Sequence, residues 1–396
     1  MNCCHMVHSD TMSTRKSEED KELRASIVDY FAAVVDPRVE RTRHHPLASM
    51  LVLSLCAVLC GADSFVGIEA YGRAKLDWLK TFLNLPHGIP SHDTLGRVFA
   101  ALNPDSLAEA FRTWVAAVAE LSQGEVIAID GKTLRRSFQT ADSRAFVHMV
   151  SAWATGNHVV LGQVKTEEKS NEITAIPRLL KLLKIKGCLV TIDAMGCQRD
   201  IAADIIATGA DYMLAVKDNQ PRLAAELELV FEQAQEDPEA FSLDFHETRD
   251  KKKHGRTEVR RCWTTSMVKC LSQGSQWQNL NSLAMIEAER TVDGKTSVEK
   301  RYYISSRKDF SAADALQSSR SHWGIENELH WVLDVAFRED DCRVRVGNAA
   351  ENFAVLRHFT VNLLKAVKST KIGVKNKRLR AGWDQPFLLQ VLLGTA

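Results

Sequence analysis

No two cysteines stand in a C-x-x-C pair anywhere in the 396-residue chain, and their number, nine, is odd. Disulfide scaffolds are small and dense in cysteine, so that architecture is excluded and a reducing cytosol is expected. The missing pair spacing also argues against a zinc site. Long apolar runs are absent: the longest, Leu47 to Ala62, spans 16 residues and contains Ser49 and Ser54. A membrane span needs ~20 apolar residues, so a buried helix is expected there. Residues 1–20 contain no signal-peptide core, which leads us to expect a soluble, cytoplasmic protein without membrane contact. Neither sign of charge dominates, with 51 basic and 50 acidic side chains and a net charge of +1. A globally basic nucleic-acid binder is therefore excluded, although local patches can still hold phosphate.

The chain has ordinary globular content and room for two or three domains. Residues 1–22 read as a loose tail. Residues 23–120 carry helical periodicity, with Ser91 capping a helix whose Leu95, Val98, Phe99 and Leu102 share one face. This helical domain is either a DNA reader of helix-turn-helix type or a packing unit. Short apolar runs begin at residue 125. Val126–Asp130, Val147–Trp153 and His158–Val164 read as strands, and Gly131 is expected to end the first. Asn171 caps a helix, Leu189–Asp193 forms a strand, a helix follows from about Gln198, and Tyr212–Val216 is a further strand. The order β-β-β-α-β-α-β specifies a mixed sheet with helices on its faces, an α/β core over residues 121–220. Residues 221–310 read as a β-rich insertion with a hairpin at Asp293-Gly294. Helical pattern returns over 311–365. Residues 366–396 form a tail, and from Lys365 to Arg380 there are seven basic residues and no acidic ones.

Two of the apolar strands end in aspartate, at Asp130 and Asp193. Burying an unpaired carboxylate is costly, and open α/β sheets collect ligands at the carboxyl ends of their strands. If the two strands are neighbours, both carboxylates enter one crevice, and a hard divalent cation such as Mg²⁺ or Mn²⁺ would relieve their repulsion. The plainer alternative is that each Asp caps the turn after its strand. In the helix after the insertion, Ile325, Leu329, Val332 and Ala336 form an apolar stripe, with Glu326 on the strip beside it. Glu328 falls further round, toward solvent. Lys132 and Arg135 follow Asp130; Lys217 and Asn219 follow the last core strand; Arg256 lies in a stretch, 249–261, with seven basic and two acidic residues. Such groups beside a carboxylate crevice suit a phosphodiester backbone, and a solvated hairpin tip is the alternative for residues 249–261.

The runs Ile129-Asp130-Gly131-Lys132, Thr191-Ile192-Asp193-Ala194 and Trp323-x-Ile325-Glu326-Asn327-x-Leu329-His330-Trp331 together resemble the DDE transposases of bacterial insertion sequences, the H-repeat-associated type in particular. Lys169-Ser170-Asn171-Glu172, Val216-Lys217-x-Asn219-Gln220 and Asp334-Val335-x-Phe337-x-Glu339-Asp340 extend the likeness over roughly residues 25–365. The resemblance implies an RNase H-like core split by the β-rich insertion. It implies that Asp130, Asp193 and Glu326 bind two Mg²⁺ (or Mn²⁺) ions for in-line displacement at phosphorus. It further implies that Arg320 holds a phosphate near the glutamate, that the N-terminal helices bind terminal inverted repeats of double-stranded DNA, and that the active complex is a homodimer. Where related families often carry tyrosine, Trp323 stands here. The same residues leave three other readings open: a catalytically silent or domesticated DNA-binding relative, a stand-alone RNase H-like nuclease, and a small-ester phosphohydrolase.

Overall fold

The computed structural model describes residues 29–137, 146–167, 171–252 and 256–394, apart from the side chains of Lys251, Lys252 and Arg256. Nine strands form one sheet in the order β3-β2-β1-β4-β5-β9-β8-β7-β6. The first five are β1 (Val126–Leu134), β2 (Val147–Ala154), β3 (Val159–Lys165), β4 (Leu189–Ile192) and β5 (Asp211–Val216). β1–β2–β3 is an antiparallel meander, while β1, β4 and β5 run parallel. The all-buried Leu-Val-Thr-Ile of β4 fits a strand covered on both faces.

One expectation fails. Gly131 does not end β1, which continues to Leu134 and keeps its ladder to β2, pairing Gly131 with Val150 and Thr133 with His148. What ends is β4, after Ile192. Beyond Ile129, β1 therefore has β2 on one side and an open edge on the other, and Asp130 is the first residue past that point.

The expected insertion consists of a helix and four long strands: β6 (Asp244–Lys252), β7 (Arg256–Thr265), β8 (Ser282–Val292) and β9 (Lys295–Ser305). Asp293 and Gly294 both have positive φ, 50° and 76°, as a tight hairpin turn between right-twisted strands requires. β9 pairs with β5, Met213 to Ser305 through Val216 to Tyr302, so the insertion extends the core sheet. Its cations meet acids across the strands. Arg261 contacts Glu247, Glu287 and Glu289, and Arg260 contacts Asp250 and Glu258.

Twelve helices of seven residues or more lie among the described residues: α1 (Leu47–Leu59), α2 (Phe65–Ala74), α3 (His92–Ala101), α4 (Pro104–Val118), α5 (Glu172–Leu180), α6 (Arg199–Ala207), α7 (Pro221–Glu236), α8 (Ala312–His322), α9 (Trp331–Phe337), α10 (Ala349–Ala366), α11 (Val374–Trp383) and α12 (Gln385–Leu393). Ser91 caps α3 as expected, accepting from the Thr94 amide. The apolar run at Leu47 is the buried helix α1. The N-terminal helices share their core with the rest of the chain. They surround α10, whose Phe353 and Phe359 meet Phe65, Phe99, Phe31, Phe111 and Trp114. Asn352 of α10 donates to the carbonyls of Phe99 and Leu102. Buried on nearly every side, α10 has apolar residues all round, as a central helix must. None of the described helices is long and apolar enough to cross a membrane.

The basic tail is also corrected. It folds as α11 and α12, and two of its cations are buried. Lys377 donates to the carbonyls of Leu364 and Val367 at the end of α10. Arg378, 4% exposed, donates to Val58 in the last turn of α1 and to Ala336 in α9, and pairs with Asp63. Helix C-termini carry unsatisfied carbonyls and partial negative charge, and these cations satisfy both.

Candidate active site

Asp130 and Asp193 each follow one member of a paired couple, Ile129 and Ile192, on parallel neighbours. The two residues therefore leave the sheet side by side, next to α8 and residues 325–330, which pack on these strands. Asp193 also caps the short 3-10 turn Ala194–Gly196, accepting from the Met195 and Gly196 amides. Asp193 thus does what the capping alternative expects, and it also lines a cleft with Glu326. Asn219 closes the same turn by donating to the Ala194 carbonyl, and Gln220 donates to Cys197 at 3.0 Å.

Glu326 lies in a wide π-helical turn, Ile325–His330, between α8 and α9. π-turns are rare and often accompany functional sites. The apolar stripe is as expected, with Ile325, Leu329, Val332 and Ala336 buried. Glu326 lines a cleft of about 190 Å³ together with Asp193, Lys217, Arg301, His322 and Trp323. Glu328, its side chain 42% exposed, is bound to His158 and Lys365. Glu339 is buried against Arg357 and Lys132. Of the three glutamates, Glu326 is the one facing Asp193.

The electrostatics describe a carboxylate site in want of positive charge. Burial pushes Asp130 up to about 7, against the opposing Gly131 amide and with help from the charges of Glu172, Asp193 and Glu326. Asp193 is raised by burial and by Glu172, opposed by the Gly196 and Met195 amides and by Lys217. Burial raises Glu326, Arg301 opposes, and Asp193 adds to the rise. His330 and His322 are both held near 4 by burial.

The other expected residues disperse. Lys132, its side chain 11% exposed, is tied to Asp334 at 2.6 Å, Asp340 at 3.3 Å and Glu339 at 3.7 Å, so its charge anchors β1 to α9 and the turn after it. Arg135 is exposed and reaches Asp340 at 3.2 Å. Lys217 is exposed and lines the cleft. Arg320 pairs with Asp250 at 3.3 Å and lines a larger groove that adjoins the cleft and shares Arg301 and Trp323 with it. The side chain of Arg256 and the residues Lys169-Ser170 lie outside the described residues. Arg301, not foreseen, is the cation that faces Glu326. It stacks over Trp323 at 4.9 Å and pairs with Glu299 at 2.8 Å. Strand alternation places it in the cleft, but only once β9 is known to lie beside β5.

Glu172 is the second residue missed. Its Oε1 is 2.8 Å from His148 Nε2, and His148 Nδ1 is 2.8 Å from Thr133 Oγ1. A Cβ on Gly131 would lie 2.0 Å from that carboxylate oxygen and 2.4 Å from His148 Nε2. Only glycine lets the pair approach the backbone next to Asp130. The motif position of Glu172, directly after Asn171, was visible; its approach to Asp130 was not.

The candidate site has two aspartates following neighbouring parallel strands, and a cleft in which Asp193 and Glu326 meet Lys217 and Arg301. Residues 121–363 match the family described as Transposase DDE domain, and residues 28–115 match the segment described as DDE_Tnp_1-associated. The chain belongs to the DDE transposase family, in its H repeat-associated type. It is 40% identical to the Escherichia coli K12 protein named "H repeat-associated putative transposase YhhI", over 93% of this chain and 98% of that one. It is 41% identical to "Putative transposase YncI" of Escherichia coli O157:H7, over 93% of this chain and 94% of that one. A solved piggyBac transposase synaptic complex with hairpin DNA aligns over 92% of this chain and 77% of that one, with 9% identity and a TM-score of 0.40, too low to bear on the fold.

Proposed function

We propose that this transposase cuts the ends of an insertion element and joins them to target DNA, using Asp130, Asp193 and Glu326 as its catalytic carboxylates on an RNase H-like core. The observation that carries the proposal is the register of β1 and β4, in which Asp130 and Asp193 each follow a member of the paired couple Ile129 and Ile192, together with the cleft that Asp193 and Glu326 both line. The donor chemistry fits a hard divalent ion: carboxylate oxygens whose burial and mutual repulsion favour an added positive charge. The three stand apart in this arrangement, and among the described residues no group of three His, Cys, Asp or Glu is gathered tightly enough to hold an ion. Ion binding therefore requires these side chains to converge. Two Mg²⁺ or Mn²⁺ ions would activate the attacking oxygen and stabilise the leaving one.

The chain's own residues supply the rest. Asp193 is fixed by its amide bonds, and Asn219 holds the turn behind it. Lys217 and Arg301 flank the cleft and offer charge to a phosphodiester. Arg135 and Arg320 stand further out, where they would meet flanking backbone. The N-terminal helices would hold the terminal inverted repeats, and a homodimer would bring two ends together. The test is incubation of the purified chain with duplex DNA carrying the inverted repeats that flank its gene, plus Mg²⁺ or Mn²⁺. End cleavage and covalent joining to a second duplex support the proposal. Cleavage without joining would favour the nuclease reading, and salt-sensitive binding without either would favour a silent relative.

A further inference from the structure

Glu172 sits in the first turn of α5, where Asn171 caps the helix by accepting from the Ile173 amide. An anion is favoured at that end. With His148 Nε2–H donating to the Glu172 carboxylate, His148 Nδ1 is left to accept from the Thr133 hydroxyl, and the observed distances allow both bonds. The chain Thr133–His148–Glu172 thus fixes one carboxylate oxygen. The approach to Gly131 sets that carboxylate against the backbone next to Asp130. Its charge acts on both Asp130 and Asp193. An ordinary helix-end ion pair would need neither the glycine gap nor a place at the strand edge where β4 stops.

Resting on the metal-dependent reading above, we infer that Glu172 is a fourth carboxylate of the site, a positioning residue that His148 and Thr133 hold beside Asp130 and Asp193 to add negative charge for a divalent cation. Cation affinity rises with the number of carboxylate charges around a site. Partners just outside the ligands commonly contribute about 10-fold or more in affinity. Gly131 serves the same purpose by leaving the space.

Mn²⁺ binding to the full metal-free chain tests this, read from loss of the free-ion electron paramagnetic resonance signal, beside the metal-free melting temperature. Wild type is compared with Glu172→Gln, Glu172→Asp, Gly131→Ala and a remote control, Glu239→Gln. The inference predicts that Glu172→Gln and Gly131→Ala weaken Mn²⁺ binding by about 10-fold or more. Glu172→Asp, which keeps the charge, recovers most of the affinity, and the control is unchanged. A purely structural role would make affinity follow melting temperature across the set. Wild type binding Mn²⁺ with Glu172→Gln binding equally well overturns the inference and leaves the metal-dependent reading standing. A wild type that binds no Mn²⁺ overturns both.

Discussion

His330 Nδ1 lies 3.5 Å from Asp130 Oδ2, yet the two do not form an ordinary ion pair at neutral pH. Burial holds the histidine near 4, helped by the charge of Lys132, and lifts the aspartate to about 7. Near pH 7 the ring is neutral and the carboxyl is part-protonated. A group raised in the folded state stabilises the fold below its unfolded value and loses that contribution as pH rises through its folded value. Asp130 therefore costs stability progressively between pH 4 and 7. In the metal-free protein, Asp130→Asn should stabilise at pH 7.5 by on the order of 2–4 kcal/mol. The gain should vanish toward pH 4, as read from denaturant midpoints across pH. An equal effect at both ends would contradict this assignment.

Glu326 and Glu328 are two residues apart and face different partners. Glu326→Gln should lower DNA cleavage by at least about 100-fold while leaving stability intact, since metal-ligand chemistry contributes several kcal/mol to such barriers. Glu328→Gln should keep cleavage and loosen only the pairing with Lys365 and His158. Quantitative cleavage of one labelled end separates the two; retained cleavage in Glu326→Gln would mean the glutamate is wrongly chosen.

Lys217 and Arg301 should each act on DNA through charge. Replacing either with Ala is expected to reduce the slope of log binding constant against log salt by about 0.9 for each phosphate the side chain had neutralised. Fluorescence anisotropy over a salt series measures this. Lys132→Met should instead lower stability and leave the salt slope alone, because its charge is spent on Asp334, Asp340 and Glu339.

Arg378 gives a complementary prediction. Arg378→Ala leaves the Val58 and Ala336 carbonyls and Asp63 without their cation, and should destabilise by about 2–4 kcal/mol. A drop in DNA affinity with no loss of melting temperature would contradict this structural role.

These contrasts mark where the sequence was readable. The order of the first five strands, the caps at Ser91 and Asn171 and the turn at Asp293-Gly294 are local signals, and each stands where periodicity and turn chemistry place it. The matched apolar runs ending in Asp130 and Asp193 were visible, but that their strands are neighbours was only a condition in the sequence, and it is the β1–β4 pairing that meets it. Gly131 misled because a glycine after a strand usually signals a break, whereas here it admits Glu172 and His148 from another element. Arg301 and Glu172 were out of reach because their positions depend on the β5–β9 pairing and on the packing of α5. The basic run from Lys365 to Arg380 read as a tail, since composition cannot tell a solvated cation from one that caps a helix.

The most direct test of the central claim is single-turnover cleavage of the element's ends in Mg²⁺ and in Mn²⁺, comparing wild type with Asp193→Asn. Asparagine keeps an oxygen to accept from the Met195 and Gly196 amides, so the turn survives and only the charge is removed. The account predicts cleavage by wild type in at least one of the two metals and loss of at least about 100-fold in the variant, with an unchanged melting temperature. Cleavage by Asp193→Asn at the wild-type rate would contradict it.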